Sequence, residues 1–171
     1  SCVTARDKLH TLRSTSEDFS DDGTVYSATF IGSREFGGHW LLGGNLNDDE
    51  YIDVLDFGSF VVRFQENYGT GNTDCSTPFF HPDISGDGLV FTADFTFIQI
   101  NILQFHELNC CGGPGVLGDR DALGGPVMSI SVAELWRQDM GELAAADLNR
   151  DGVLDELDMD TFVRAHGLEE Q

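Results

Sequence analysis

Apolar residues along this chain follow two rhythms, one helical and one extended. Phe57, Phe60, Val61 and Phe64 recur at helical spacing and predict a helix over residues 54–67. Phe95, Ile98, Ile102 and Phe105 repeat that stripe and predict a second helix over residues 93–108. The second helix also carries Phe97, Ile100 and Leu103 on its other sides. A helix apolar all round is normally buried, here between the first helix and the N-terminal strands or beneath a partner. A third helix is predicted over residues 132–140, with Ser131 as N-cap and Glu134 completing a capping box. A fourth opens at Asp158, runs to about residue 165 and stops at Gly167. Upstream, residues 2–5, 9–13, 25–31 and 39–42 are short and β-prone, separated by polar or Gly-rich turns. They read either as the last strands of a β-sandwich or as a small β-cap on the helical region downstream.

Displacing the first helical region by 38 residues superposes Asp49 on Asp87, Asp56 on Asp94, Phe57 on Phe95 and Phe60 on Ile98, the mark of an internal duplication. Neither copy has a convincing incoming helix, because GGHWLLGG precedes one and TPFFHP the other, and Gly and Pro break helices. The expected organisation is a short β segment over residues 1–44, a tandem unit over 45–111, a Gly/Pro linker over 112–128 and a third unit over 129–171. The expected fold class is mainly α with a small β portion. In it the third unit is a separate EF-hand-like helix–loop–helix.

Between these elements lie three acidic twelve-residue loops, at residues 45–56, 83–94 and 147–158. Each has an oxygen-bearing side chain at positions one, three, five and twelve and an aliphatic residue at position eight, which is the ligand spacing of a Ca²⁺ loop. Ca²⁺ is a hard cation that takes six to eight oxygens, with position seven giving a backbone carbonyl and position nine often acting through water. The first loop offers Asn45, Asn47, Asp49, the Tyr51 carbonyl, Asp53 and Asp56. Its Asn45 removes a charge, and Glu50 stands at position six, where a sharp turn favours Gly. The second offers Asp83, Ser85, Asp87, the Leu89 carbonyl and Asp94, with Gly88 at the turn and Phe91 unable to ligate at position nine. The third offers Asp147, Asn149, Asp151, the Val153 carbonyl, Asp155 and Asp158, with Gly152 at the turn. Three Ca²⁺ ions are expected. Mg²⁺ is the rival, and it demands stricter octahedral geometry.

Composition narrows the function classes. Nine Lys and Arg stand against 30 Asp and Glu, a formal charge of −21. That balance disfavours nucleic acid, whose phosphates need basic residues, and anionic membranes. No apolar run reaches the ~20 residues that span a bilayer. Ser1 begins neither with an initiator Met nor with a signal-peptide pattern, so a processed product or fragment is expected. Cys2, Cys75, Cys110 and Cys111 form no zinc motif. Their even number suits disulfides in an extracellular setting, as do millimolar-range Ca²⁺ sites. Three connectivities are possible. Cys75 paired with one of the vicinal cysteines, and Cys2 with the other, is favoured over reduced thiols. No nucleophile elbow, P-loop or zinc-helix motif occurs, and His10, His39, His81, His106 and His166 are scattered, so no catalysis is expected.

The pattern Asp/Asn-x-Asn/Ser-x-Asp-Gly, with an aliphatic residue at position eight, Asp at twelve and an outgoing helix without an incoming one, resembles type I dockerin repeats. Units 45–67 and 83–108 fit it best, and the resemblance covers a little over half the chain. GGNLNDD followed by ADFTFIQ also looks like the C-terminal regions of large secreted proteins of planctomycete-type bacteria. The dockerin resemblance implies a Ca²⁺-folded module that binds a cohesin-like β-sandwich outside the cell. It places recognition at loop positions ten and eleven, here Val54, Leu55, Thr92 and Ala93, where cellulosomal members often carry Ser-Thr. The leading expectation is therefore a non-catalytic, secreted attachment module. The alternative is a Ca²⁺-rigidified structural subunit of a surface or filamentous assembly. A Ca²⁺ sensor is disfavoured, because it needs paired complete hands and a Met-rich groove and the chain has only three Met.

Overall fold

The computed structural model describes residues 3–7, 11–16, 19–69, 81–107 and 125–168. All four cysteines, and hence the expected disulfides, lie outside the described residues. Near the N-terminus, β1 (Val3–Ala5) pairs antiparallel with β2 (Ser14–Ser16), and β3 (Phe19–Asp21) with β4 (Tyr26–Ala28). The β3–β4 turn is built by aspartates: Gly23 N donates to Asp21 Oδ1 at 2.7 Å, and Thr24 N and Val25 N donate to Asp22 Oδ1. A 3₁₀ turn at Arg34–Phe36 follows. The chain then folds back so closely that a Cβ on Gly38 would lie 2.2 Å from the Gly32 carbonyl carbon.

Helices α1 (Val54–Arg63) and α2 (Thr92–Asn101) leave the first two loops. Their bounds are again displaced by 38 residues, and so are their hydrogen bonds. Ile52 N donates to Gln104 O and Leu103 N to Ile52 O, while Val90 N donates to Glu66 O and Gln65 N to Val90 O. Each loop's position-eight residue thus bonds the segment that follows the other loop's helix. Both helices end sooner than their apolar stripes suggest. Phe64 and Ile102 turn to ψ 133° and 137°, and Gln65 and Leu103 follow at φ 72° and 65°. That bend delivers their amides to the opposite loop.

The third unit opens with β5 (Ser129–Ser131), which pairs antiparallel with β6 (Val153–Asp155) and sets Ile130 opposite Leu154. Helix α3 (Val132–Arg137) stops well short of the loop, and a 3₁₀ helix at Gly141–Ala146 makes the approach instead. Asp139, at φ 60°, interrupts what the sequence reads as one helix over 132–140. Helix α4 (Glu156–His166) carries the expected stop: Gly167 is left-handed and donates to Arg164 O, and Leu168 N donates to Val163 O.

These elements correct the expected fold class. The described residues form a mixed α/β architecture rather than a mainly α one. Three small antiparallel sheets accompany four α-helices and two 3₁₀ segments. Two of the sheets lie in the N-terminal segment, and the third forms because the extended residues 153–155 of the third loop recruit β5 as a strand partner. Nor does the third unit stand apart. Phe162 of α4 is 2% exposed, and its ring centroid lies 6.0 Å from that of Phe57, 5.5 Å from Phe60 and 4.8 Å from Phe95. Gly58 of α1 admits Leu154 and Leu143, which a Cβ there would meet at 3.2 and 3.3 Å. One apolar core runs through all three units, and it includes Leu12 from the N-terminal segment.

The N-terminal segment is pinned to the end of the second unit by polar contacts. Glu107 accepts from Ser14 Oγ and Thr15 N and pairs with Arg34. Arg34 donates to the carbonyls of Phe105 and Arg13, and Arg13 N donates to His106 Nδ1 at 3.2 Å. Burial first, then the charges of Arg6, Arg13 and Arg34, push the His106 ring down to about 4, so it is neutral at physiological pH.

Candidate metal centre

The three loops share one closure. The position-twelve carboxylate reaches back over its own loop and accepts backbone N–H groups. Asp56 Oδ1 takes Leu46 N at 2.6 Å and Asn47 N at 3.1 Å, and Oδ2 takes Asp53 N at 2.8 Å. Asp158 does the same with Leu148, Asn149 and Asp155, and Asp94 with Ser85 and Phe91. The position-five carboxylate accepts the position-seven amide in every loop, at 2.7 Å for Asp49–Tyr51 and 2.9 Å for Asp87–Leu89 and Asp151–Val153. These bonds curl the backbone and bring Tyr51, Leu89 and Val153, the expected carbonyl donors, to the same place in each loop.

Position one distinguishes the loops. Asp83 accepts Gly86 N, Asp87 N and Gly88 N, and Asp147 accepts Asp151 N and Gly152 N. Asn45 instead donates its Nδ2 to Asp49 O at 2.7 Å. Its Oδ1 is buried with no hydrogen-bond partner, a state that costs free energy unless something accepts the lone pairs. Position three varies less: Asn47 and Asn149 each donate to the position-five carboxylate, and Ser85 Oγ donates to Asp83 at 3.4 Å.

Backbone strain falls elsewhere than the sequence suggests. Glu50 at position six is not in the left-handed region. That conformation is taken at position four by Asp48 (φ 62°), Gly86 (φ 75°) and Arg150 (φ 62°), and additionally at position six by Gly88 and Gly152. Asp48, a residue type that tolerates it, pairs with Arg6.

Electrostatics set the first loop apart. Burial raises Asp49, Asp53 and Asp56 above the usual carboxylate range, most of all the fully buried Asp56, and the charges of Asp53 and Asp49 push Asp56 further up. In the third loop burial raises Asp158, with the Asp147 charge adding to it. Among the described residues no group of three or more His, Cys, Asp or Glu side chains is gathered to hold a cation. The carboxylates are turned onto backbone amides instead. The donor set nonetheless fits Ca²⁺: it is all oxygen, its charges repel one another, and in the first loop one buried oxygen lacks any donor.

Position nine serves the backbone. Asp53 and Asp155 cap α1 and α4 by accepting Leu55 N and Leu157 N, and with Asp56 and Asp158 they form capping boxes. The Asp-x-x-Asp spacing was the sequence signal for this role. Asp53 Oδ2 accepts Val127 N at 2.7 Å from within the end of the expected linker, a contact no sequence pattern announces. Of the expected recognition positions, Val54 and Leu55 are buried in the core, Thr92 is half-buried and Ala93 is exposed. The outer side of α2 shows Ala93, Phe97 and Ile100, the last 67% exposed.

No family model, curated protein or solved structure matches the chain. Among the described residues no helix is long and apolar enough to cross a membrane.

Proposed function

We propose that this chain is a non-catalytic, Ca²⁺-stabilised attachment module of a secreted or cell-surface protein. The observation that carries the reading is the common loop closure. In all three loops the position-twelve carboxylate folds back onto amides of its own loop, and the buried Asn45 Oδ1 is left without a donor. The ligands are Asn45, Asn47, Asp49, the Tyr51 carbonyl and Asp56 in the first loop. In the second they are Asp83, Ser85, Asp87, the Leu89 carbonyl and Asp94, and in the third Asp147, Asn149, Asp151, the Val153 carbonyl and Asp158. Each Ca²⁺ neutralises repelling carboxylates, and the ion in the first loop supplies the partner that Asn45 lacks. Asp53 and Asp155 leave position nine to water.

Attachment is through the outer side of α2. It is uncharged, because its one acidic residue, Asp94, is buried, and it exposes Phe97 and Ile100 beside Thr96 and Gln99. On a chain of charge −21, such a face suits a protein with an apolar patch and a basic rim, as a dockerin suits a cohesin-like β-sandwich. Calorimetric titration of the full chain with CaCl₂, repeated against EGTA, tests the core of the reading. The expected result is saturable binding, with an unfolding temperature that rises with Ca²⁺. No heat of binding and an unchanged unfolding temperature in EGTA would sink it.

A further inference from the structure

Among the described residues the third loop has no second hand to pair with, yet it is not mechanically isolated. Its position-eight residue, Leu154, is matched by Ile130 across the β5–β6 pair, and Val132 N donates to the carbonyl of Gly152 at its sixth position. Three residues before Ile130, the same strand segment grips the first loop. Val127 N donates to Asp53 Oδ2 at 2.7 Å, and Val54 N donates back to Val127 O at 3.4 Å. Asp53 is 1% exposed and Val54 4% exposed, and Val127 is half-buried, so both bonds lie at the edge of the core. Asp53 is also the N-cap of α1, and its backbone N–H is held by Asp56, the residue that closes the first loop. Residues 127–131 therefore touch positions nine and ten of the first loop at one end and positions seven to nine of the third at the other. The second loop cannot repeat the contact, because its position nine is Phe91.

We propose that residues 127–131 form a strap that couples cation occupancy of the third loop to that of the first. This rests on reading the loops as Ca²⁺ sites. The third loop has three carboxylates at positions one, five and twelve, whereas the first has Asn45 at position one, so the third fills at lower Ca²⁺. Filling it fixes β6, and through β6 the strand segment and the Val127–Asp53 bond. That holds the N-cap of α1, and with it Asp56, in the conformation that closes the first loop. The weaker site is strengthened by the stronger one, and by linkage the effect is reciprocal.

The test is a Ca²⁺ titration of the full chain followed by amide NMR, with Leu46 and Asn47 reporting the first loop and Gly152 the third. Blocking the third loop with Asp147→Asn and Asp151→Asn is expected to weaken first-loop binding about 10-fold. Blocking the first with Asp49→Asn should weaken the third by the same factor. Asp53→Ser retains an N-cap oxygen for Leu55 N but cannot reach Val127. With every ligand of the first loop intact, it should weaken the first site, after which blocking the third loop should have no further effect. This variant carries the test if the third-loop variant fails to fold. If the wild-type chain binds Ca²⁺ at both loops and first-loop affinity ignores both the third-loop block and Asp53→Ser, the strap is refuted and the metal reading stands. If the wild-type chain binds no Ca²⁺, the metal reading falls and takes the strap with it.

Discussion

Replacing Phe162 by alanine removes a ring that touches both duplicated helices from outside the duplication. It lies 6.0 and 5.5 Å from Phe57 and Phe60 of α1, 5.1 Å from Phe64 and 4.8 Å from Phe95 of α2. Phe-to-Ala changes in a core cost about 3–5 kcal/mol, which combines lost transfer free energy with the cavity left behind. Edge-to-face aromatic pairs add about 0.5–1.5 kcal/mol each. With the ring only 2% exposed, the upper part of that range, about 4–5 kcal/mol, is expected. For a chain of 171 residues that is a fall of about 8–20 °C in unfolding temperature. The two tryptophans make the assay spatially resolved. Trp40 sits in the N-terminal segment and Trp136 in α3, so single-tryptophan variants report each end separately. Both should unfold at one midpoint, and Phe162→Ala should lower both together. If Trp136 shifts while Trp40 holds its midpoint, the third unit folds on its own and the shared core is wrong.

Two further outcomes concern the N-terminal attachment. The His106 ring is held near 4 in the folded chain, against about 6.5 unfolded. Its contribution is therefore complete above about pH 6.5 and is lost as pH falls toward 4. After allowance for solvent screening the loss is about 1–2 kcal/mol. It is measured as the gap in urea stability between wild type and His106→Gln at pH 7 and at pH 4.5. The buried carboxylates move the other way and cancel in that comparison, and an unchanged gap would contradict the assignment. Glu107→Ala leaves Arg34 without its carboxylate and Thr15 N and Ser14 Oγ without their acceptor, at a cost of about 1–3 kcal/mol. Hydrogen exchange should quicken in residues 3–7 and 11–16. Slow exchange throughout would mean that these bonds do not hold the segment.

The sequence is most legible where local chemistry decides alone. The starts of α1 and α2, the stop at Gly167 and the repeat spacing all follow from side-chain pattern, and the structure has them. It is least legible where distant backbone competes. The stripe through Phe64 and Phe105 reads as continuing helix, but Gln65 and Leu103 give their amides to the opposite loops, and cross-loop bonds win. The mainly α expectation failed for the same reason, because strand partners such as Ile130 for Leu154 are set by contacts over many residues. Within the candidate sites, the residues at positions one, three, five and twelve could be read by spacing. The caps at Asp53 and Asp155 follow from a pattern that competes with ligation for the same aspartates. The Val127 contact involves only a main-chain donor, which leaves no trace in residue type.

The exchange of hydrogen bonds between the duplicated halves has a consequence for how such a chain can be rearranged. Ile52 is clasped by residues 103 and 104, and Val90 by residues 65 and 66. Each half is thus completed by the other. The order of the two halves along the polypeptide is a matter of ancestry, not of mechanics. A circular permutant opened between Gly69 and His81 would retain every one of these clasps.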